Sequence, residues 1–445
     1  MAGAPEIPAQ SCAAPGEGHP VSQGQRRCAE RDAQLSNRSV LNVALRIDIT
    51  GPLDPAALAA AVSSLVERRH VLRTRFRRDS SGFTQDVGPA APVELPVADL
   101  SPGDDAAVSA WCYEQALPPF DLSGGEVARF ALALAGADRW VLTFVQHHII
   151  TDATSLSILM ADLAAGYRAA VSGTAGHREE PVQFAEFVRW EREHLAGAAG
   201  KRSIEFWRAE LEGATVSLPL PGDRPRPPVL SGHGALQPFD VEPGLARRLA
   251  QWAEAHRVTL YAVLLTAFGQ LLRGLVGRRE VTVVGAFPNR TRQRFENLAG
   301  PLTNSLALRL PGDPGGTIRE AVSGIAHRLW TVADHVGVPF SVVLDEARVR
   351  ERPGAEHFPQ VWFSLHPDPG RRLDLPGLRA VAEEIAIPGV RSDLGVLAVP
   401  GVDGVRLWVE SADYLDPPTV TRWMADYERL LRRLVDDPAT PLRAW

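Results

Sequence analysis

The feature that most constrains the fold is a short, mostly apolar run that ends in two adjacent histidines. Residues 140–145 are rich in β-branched and aromatic side chains, which predicts a buried strand. After His147 and His148, apolar side chains recur at helical spacing from Leu156 to Tyr167, and polar residues before them can cap a helix. We therefore expect a strand, a loop and a helix in that order, with both imidazoles on a rigid junction from which side chains can project into a cleft.

A carboxylate belongs to the same motif, because Asp152 follows four residues after His148. Imidazole is the side chain whose ordinary pKa suits it to taking up and returning a proton near neutral pH. The pattern suggests acyl transfer, although a histidine at the end of a strand is also often structural. The motif alone leaves both interpretations open.

The length of 445 residues is too great for a single compact core and predicts two domains of roughly 200 residues each. We place a disordered lead-in at residues 1–18, an N-terminal lobe at 19–175 and a C-terminal lobe at 176–445. The boundary follows a polar, glycine-rich break between residues 172 and 181. Helices and strands mix in both halves without the regular alternation of a doubly wound sheet, so the expected fold class is α+β with a cleft between two lobes.

Charge and composition exclude several classes of function. A net charge of -6 gives no basic surface for nucleic acid or for anionic lipid. The N-terminus lacks the features of a secretory signal, and the most apolar segment is interrupted by Gln270 and Arg273, so no membrane span is predicted. The three cysteines form no CxxC pair, which argues against a zinc site or a disulfide framework. We expect a cytoplasmic protein that binds no metal.

Further motifs, in the right order and spacing, make the chain resemble the condensation domains of nonribosomal peptide synthetases, which are relatives of chloramphenicol acetyltransferase. The resemblance runs from about residue 20 to the end of the chain. It rests on segments 22–26, 69–76, 119–122, 147–153, 206–225, 289–304, 335–340, 358–360 and 392–394. The His-His-x-x-x-Asp pattern at 147–152 also occurs in wax ester synthases, so the whole set of motifs supports the resemblance rather than any one of them.

The resemblance implies a fold and a set of site residues. The fold would be a V-shaped pseudo-dimer of two chloramphenicol acetyltransferase-like lobes, with the active-site tunnel at their junction. His148 would be catalytic, either as general base or as a hydrogen-bonding anchor for the nucleophile, while His147 would support the loop. Asp152 would be structural and would pair with Arg290 across the lobes; the alternative for Arg290 is a solvated surface arginine. Substrate-tunnel candidates are Asn304 and Ser392.

The implied reaction is attack by an amine or alcohol on an acyl or aminoacyl thioester, giving an amide or ester in natural-product biosynthesis. The thioester would be carried on the phosphopantetheine of a peptidyl or acyl carrier protein, and the acceptor would be a small molecule or carrier-bound. No permanently bound cofactor is implied. One alternative is an acyltransferase that uses coenzyme A thioesters. Another is a catalytically silent docking domain that recruits a partner enzyme, which the intact histidines and aspartate disfavour.

The chain departs from the family pattern at three points. Ala153 replaces the glycine that follows the aspartate, which adds a methyl group in the substrate path and removes easy access to positive φ. The opening motif at 22–26 lacks its usual alanine and the aromatic residues that follow. The chain also ends about where a condensation domain ends. From the first two departures we expect an unusual acceptor, and from the third a free-standing enzyme.

Overall fold

A computed structural model describes residues 18–80, 82–174, 179–312, 316–352, 358–366, 373–401, 404–442 and 445. The lead-in expected at 1–18 lies outside these residues except for Gly18. The lobe boundary expected between 175 and 176 also lies outside them, so the division of the chain at that point stays a prediction.

Helices and strands mix throughout the described residues, as the α+β expectation requires. The helices are α1 (Gln23–Asp32), α2 (Pro55–Arg68), α3 (Asp105–Ala116), α4 (Ala153–Ser172), α5 (Phe184–Ala196), α6 (Ala198–Leu211), α7 (Pro243–Ala255), α8 (Leu260–Val276), α9 (Ile318–Ala333), α10 (Phe340–Glu346) and α11 (Pro417–Asp436). The strands are β1 (His19–Pro20), β2 (Asn42–Thr50), β3 (Thr74–Asp79), β4 (Gly82–Val87), β5 (Val97–Asp99), β6 (Ala128–Gly136), β7 (Arg139–His147), β8 (Gly234–Val241), β9 (Glu280–Phe287), β10 (Asn304–Pro311), β11 (Val361–Leu365), β12 (Arg379–Glu384), β13 (Leu394–Gly401) and β14 (Gly404–Ala412).

The first lobe is built on a five-stranded sheet in the order β12-β2-β7-β6-β5, with the histidine-bearing strand β7 at its centre. Successive side chains of β7 point to opposite faces of the sheet, and both faces are covered. Leu142 and Phe144 pack in one core with residues of α2 and α4, whereas Val141 packs with Val108 and Cys112 of α3. Because both faces of the strand are buried, the sequence of β7 is almost continuously apolar.

The second lobe is built on a six-stranded sheet in the order β10-β9-β11-β13-β14-β8. Helix α8 lies in its core, where Phe268 packs on Phe363 of β11 with ring centroids 4.9 Å apart. The Tyr427 hydroxyl of α11 donates a hydrogen bond of 3.0 Å to the Leu264 carbonyl of α8. A separate three-stranded sheet, β1-β4-β3, lies outside both large sheets.

One strand joins the two halves of the chain. Although β12 follows most of the second lobe in sequence, it pairs antiparallel with β2 at the edge of the first sheet, where Ala382 lies opposite Ile47. Leu373 and Leu375, just before β12, are buried in the first lobe's core. The first lobe therefore contains a segment from the range 176–445.

Within the described residues, no single helix is long and apolar enough to cross a membrane. Helices α7 and α8 pass that test only as a pair, by length and composition, and they meet at a bend of 111°.

Candidate active site

The loop that carries the histidines is fixed at both ends. Strand β7 ends at His147, and α4 begins at Ala153. Asp152 is the N-cap of α4, and its Oδ1 accepts the Ser155 backbone N–H at 2.8 Å. The backbone N–H of His148 donates to the Leu41 carbonyl at 2.7 Å. This strand-loop-helix junction is the one that the sequence predicts.

His147 faces the core of the first lobe, with only 1% of its surface exposed. Its Nδ1 accepts the Ile149 backbone N–H at 3.1 Å, so a neutral ring carries its hydrogen on Nε2. Nε2 lies 3.5 Å from Oδ1 of Asp32, a carboxylate that Arg38 binds through two nitrogens at 3.0 and 2.7 Å. His147 is thus part of the packing that holds the loop.

His148 lies in the wall of a cavity of about 930 Å³ that residues of both lobes line. Burial lowers the pKa of its imidazole to about 4, with a further contribution from the positive charge of Arg391. The ring is therefore uncharged at neutral pH. Within the described residues, no side chain makes a hydrogen bond to this imidazole. A hydrogen bond between the ring and the residue's own backbone opposes this lowering of the pKa, so the other ring nitrogen is the one available to a ligand in the cavity.

Asp152 is in the cavity lining, but both of its oxygens accept hydrogen bonds from a network that joins the lobes. Arg290 binds its two oxygens at 2.9 and 3.0 Å, and both side chains are almost fully buried. Oδ2 also accepts the backbone N–H groups of Leu302 and Thr303 at 3.0 and 2.8 Å. Burial opposes ionisation, but the charge and hydrogen bonds of Arg290 lower the pKa of Asp152 to about 2. The arginine is thus not a solvated surface residue.

Ala153 lines the same cavity as the first residue of α4. Among the described residues, the non-glycine positions with positive φ are Arg257 and Arg348, so Ala153 does not occupy the left-handed region. The expected loss of a positive φ at position 153 therefore has no consequence in this fold. What remains is the methyl group that Ala153 adds to the cavity wall.

Asn304 and Ser392 also line the cavity, but their polar atoms bind the protein itself. The Asn304 amide donates to the carbonyls of Val336 and Val338 at 2.8 and 2.6 Å, and its oxygen accepts the Phe340 N–H at 3.0 Å. The Ser392 hydroxyl lies 3.3 Å from Oε1 of Glu410. Both residues shape the wall.

The cavity lining also includes His366 and Arg391, which the sequence analysis does not single out. Burial, followed by the charges of Arg391 and His148, lowers the pKa of His366 to about 4. The Arg391 guanidinium lies 5.4 Å from the ring centroid of Trp362, and its Nε is 3.5 Å from Oε2 of Glu410. His366 directly follows β11, so the signal that marks His148, an imidazole at the end of an apolar strand, could have found it.

No group of three or more histidine, cysteine, aspartate or glutamate side chains is arranged to hold a metal ion within the part of the chain described above.

The family model described as "Condensation domain" matches residues 17–444. Chondramide synthase cmdD of Chondromyces crocatus is 32% identical over 428 residues, which cover 94% of this chain and 11% of the synthase. The chain therefore spans about a tenth of that relative, and the expectation of a free-standing enzyme stays untested.

Two solved structures have the same fold. The X-domain from teicoplanin biosynthesis gives a TM-score of 0.84 at 24% identity, covering 98% of this chain and 99% of that one. The starter condensation domain of rhizomide synthetase RzmA, in complex with C8-CoA, gives a TM-score of 0.84 at 19% identity, covering 96% of this chain and 97% of that one. These likenesses confirm the α+β fold of two chloramphenicol acetyltransferase-like lobes. Together with the match over residues 17–444, they mean that the chain belongs to the condensation-domain family of nonribosomal peptide synthetases.

Proposed function

We propose that the protein transfers an acyl or aminoacyl group from the phosphopantetheine thioester of a carrier protein to an amine or alcohol. The product is an amide or an ester in a natural-product pathway. The observation that supports this most is the imidazole of His148, which is uncharged and lies without a side-chain partner in the cavity between the lobes. The family match supports acyl transfer of this type.

A thioester is already activated, so the reaction needs positioning, removal of one proton and stabilisation of an oxyanion. The acceptor nitrogen or oxygen attacks the carbonyl carbon, the C–S bond breaks, and the acceptor's proton ends on the phosphopantetheine sulfur. A general base works best with a pKa near the working pH. With a pKa of about 4, His148 suits better the role of a hydrogen-bond acceptor that orients the attacking N–H or O–H group.

Arg391 would contribute through its charge. It lies close enough to lower the pKa of both His148 and His366, so it would also favour the negative oxygen of the tetrahedral intermediate. His147, Asp152 and Arg290 would hold the loop in place without contacting substrate.

The decisive experiment offers the protein a carrier charged with an acyl group, together with soluble amines and alcohols, and detects products by mass spectrometry. If product forms only when the acceptor is also attached to a carrier, the acceptor must be delivered by a second carrier protein. A parallel reaction with the same acyl group on coenzyme A tests the second candidate, which the coenzyme A-bound rhizomide synthetase domain motivates. Absence of product from every donor, with the carrier still bound, would favour a silent docking domain.

A further inference from the structure

The second imidazole in the cavity wall, that of His366, has no role in the mechanism proposed above. Trp362 and Ser364 of β11 line the cavity together with His366, which directly follows the strand. Phe363, between the first two, is buried in the core of the second lobe. Because successive side chains of a strand point to opposite faces, this alternation directs the ring of His366 into the cavity. Its backbone N–H donates to the Ala398 carbonyl of β13 at 3.0 Å, which holds the residue in place.

The neighbouring strand shows which part of the cavity His366 occupies. Strands β9 and β11 are parallel, and Val284 lies opposite Trp362. Four residues further along both chains, the same register brings Pro288 beside His366. Neighbouring strands are about 4.8 Å apart, so His366 lies next to the loop that leaves β9.

That loop is the one by which the second lobe reaches the histidines of the first. Its residue Arg290 binds the Asp152 carboxylate at 2.9 and 3.0 Å. A proton on His148 lowers the pKa of His366, and the charges of Arg391 and Asp152 act on the pKa of both imidazoles. Two rings that share these neighbours face the same part of the cavity.

The two imidazoles offer complementary hydrogen-bonding groups. The ring of His148 donates one N–H to its own backbone, since that bond favours the protonated form, and its other nitrogen is an acceptor. Burial and the charge of Arg391 lower the pKa of His366 to about 4, so this ring is also neutral at pH 7 and carries one N–H. No hydrogen bond to the His366 side chain is made within the described residues. Its N–H can therefore bind an oxygen of a ligand.

We propose that His366 donates its ring N–H to the carbonyl oxygen of the thioester and to the oxyanion that this oxygen becomes. His148 accepts the hydrogen of the attacking nitrogen or oxygen. As the new bond to carbon forms, the carbonyl π electrons move to the oxygen; when they return, the C–S bond breaks and the sulfur takes the acceptor's proton. The N–H of His366 stays on its ring throughout. This inference rests on the proposed function and deepens it by assigning the residue that binds the donor's carbonyl group.

Two substitutions separate the N–H group from the volume of the ring. His366→Phe keeps a flat ring without an N–H, and it should lower kcat about 10²–10³-fold, as loss of an oxyanion donor does, with KM within about threefold of the parent. His366→Gln supplies an amide N–H and should recover part of the loss. The matched control is His233→Phe, at an exposed histidine next to β8 of the same sheet and outside the cavity lining. Turnover of His366→Phe within about threefold of the parent would overturn the inference.

An infrared measurement detects the same hydrogen bond without turnover. The probe is acetyl pantetheine labelled with ¹³C at the acetyl carbonyl, added in excess with no acceptor present. A hydrogen bond lowers the stretching frequency of a carbonyl group, so the probe should absorb at a lower frequency with the parent or His148→Ala than with His366→Phe. Ser364→Ala tests the hydroxyl on the same face of β11, whose Oγ accepts the Ala286 N–H at 3.2 Å, and should keep the lower frequency.

Equal frequencies with the parent and with His366→Phe would overturn the inference, as would a shift that only Ser364→Ala removes. If the shift depends on His366 but no product forms from any donor and acceptor, the result counts against the proposed function alone.

Discussion

At the scale of single residues, the ionisation of His148 depends on a neighbour that lies far away in sequence. The resemblance to the condensation domains implies that His148 is the imidazole in the cleft, and the structure places His147 in the core and His148 in the cavity wall. The resemblance does not predict a pKa near 4, which needs the burial of the cavity and the charge of Arg391 from the other lobe. Arg391 directly precedes a recognised motif residue, Ser392, but nothing local in the sequence connects it with His148.

Replacing His148 with alanine should reduce turnover by roughly 10²-fold or more, because the attacking group loses the hydrogen-bond acceptor that orients it. Steady-state product formation from a charged carrier measures this loss. His327→Ala is the control, since that histidine is exposed on α9 and lies outside the cavity lining. Turnover within about threefold of the parent would refute the role of His148, provided that the variant melts at the parent's temperature.

The pH profile should report the state of the same imidazole. Because burial and Arg391 lower its pKa to about 4, the ring is neutral above that pH and gains a proton only below it. With an alcohol acceptor, which does not titrate in this range, kcat/KM should be flat between pH 6 and 8 and fall as the pH drops through about 4. Arg391→Gln removes one of the two leading causes, so the acid limb should move to higher pH. If kcat/KM of the parent protein fell near pH 6.5, the ordinary pKa of histidine being about 6.5, this prediction would be contradicted.

At the scale of helices and strands, elements with strong local signals could be predicted from the sequence. The strand predicted at 140–145 is the centre of β7, and the helix predicted from the apolar spacing between Leu156 and Tyr167 is α4. The elements that were not predicted are α1, α3, α10, β1, β3, β4, β5, β8, β10, β12 and β13. Strand β12 shows little alternation of buried and exposed side chains, since four of its six residues are exposed. Its stability comes from pairing with a strand that is distant in sequence, which no local pattern predicts.

The Asp152–Arg290 pair should stabilise the junction between β7, α4 and the second lobe. Asp152→Asn keeps a helix cap but leaves Arg290 buried without a counter-charge, so the free energy of unfolding should fall by about 3–5 kcal/mol. Thermal and denaturant unfolding measure this change. Asp104→Asn is a matched control, because Asp104 caps α3 at an exposed site and should change stability by no more than about 0.5 kcal/mol. An Asp152→Asn variant with unchanged stability and no turnover would make Asp152 catalytic instead.

At the scale of the whole molecule, the cavity lies where the two lobes meet, and two of the contacts between them are especially extensive. One is the Asp152–Arg290 network, and the other is β12, which leaves the second half of the chain and extends the first sheet. The sequence predicts two lobes and a cleft from length and from the mixture of elements. It does not predict this exchange of a strand, since pairing between Ala382 and Ile47 is non-local and no turn or linker signal fixes the partner of an edge strand.

Breaking the exchanged strand should therefore damage both stability and turnover. Ala382 is 7% exposed and packs in the first lobe's core opposite Ile47, so Ala382→Asp places an unpaired charge there. Burial of an unpaired charge should cost at least about 3 kcal/mol or detach the strand. Because residues 381–387 line the cavity, detachment would also open its wall and lower turnover.

The control for this prediction is Arg379→Asp, which makes a larger change of charge at the exposed start of the same strand, outside the cavity lining. Surface substitutions of this kind usually change stability by less than about 0.5 kcal/mol. Thermal denaturation and the carrier-based turnover assay, applied to both variants, separate a general effect of charge from loss of strand pairing. If Ala382→Asp kept the parent's melting temperature and rate, β12 would not be needed to hold the lobes around His148.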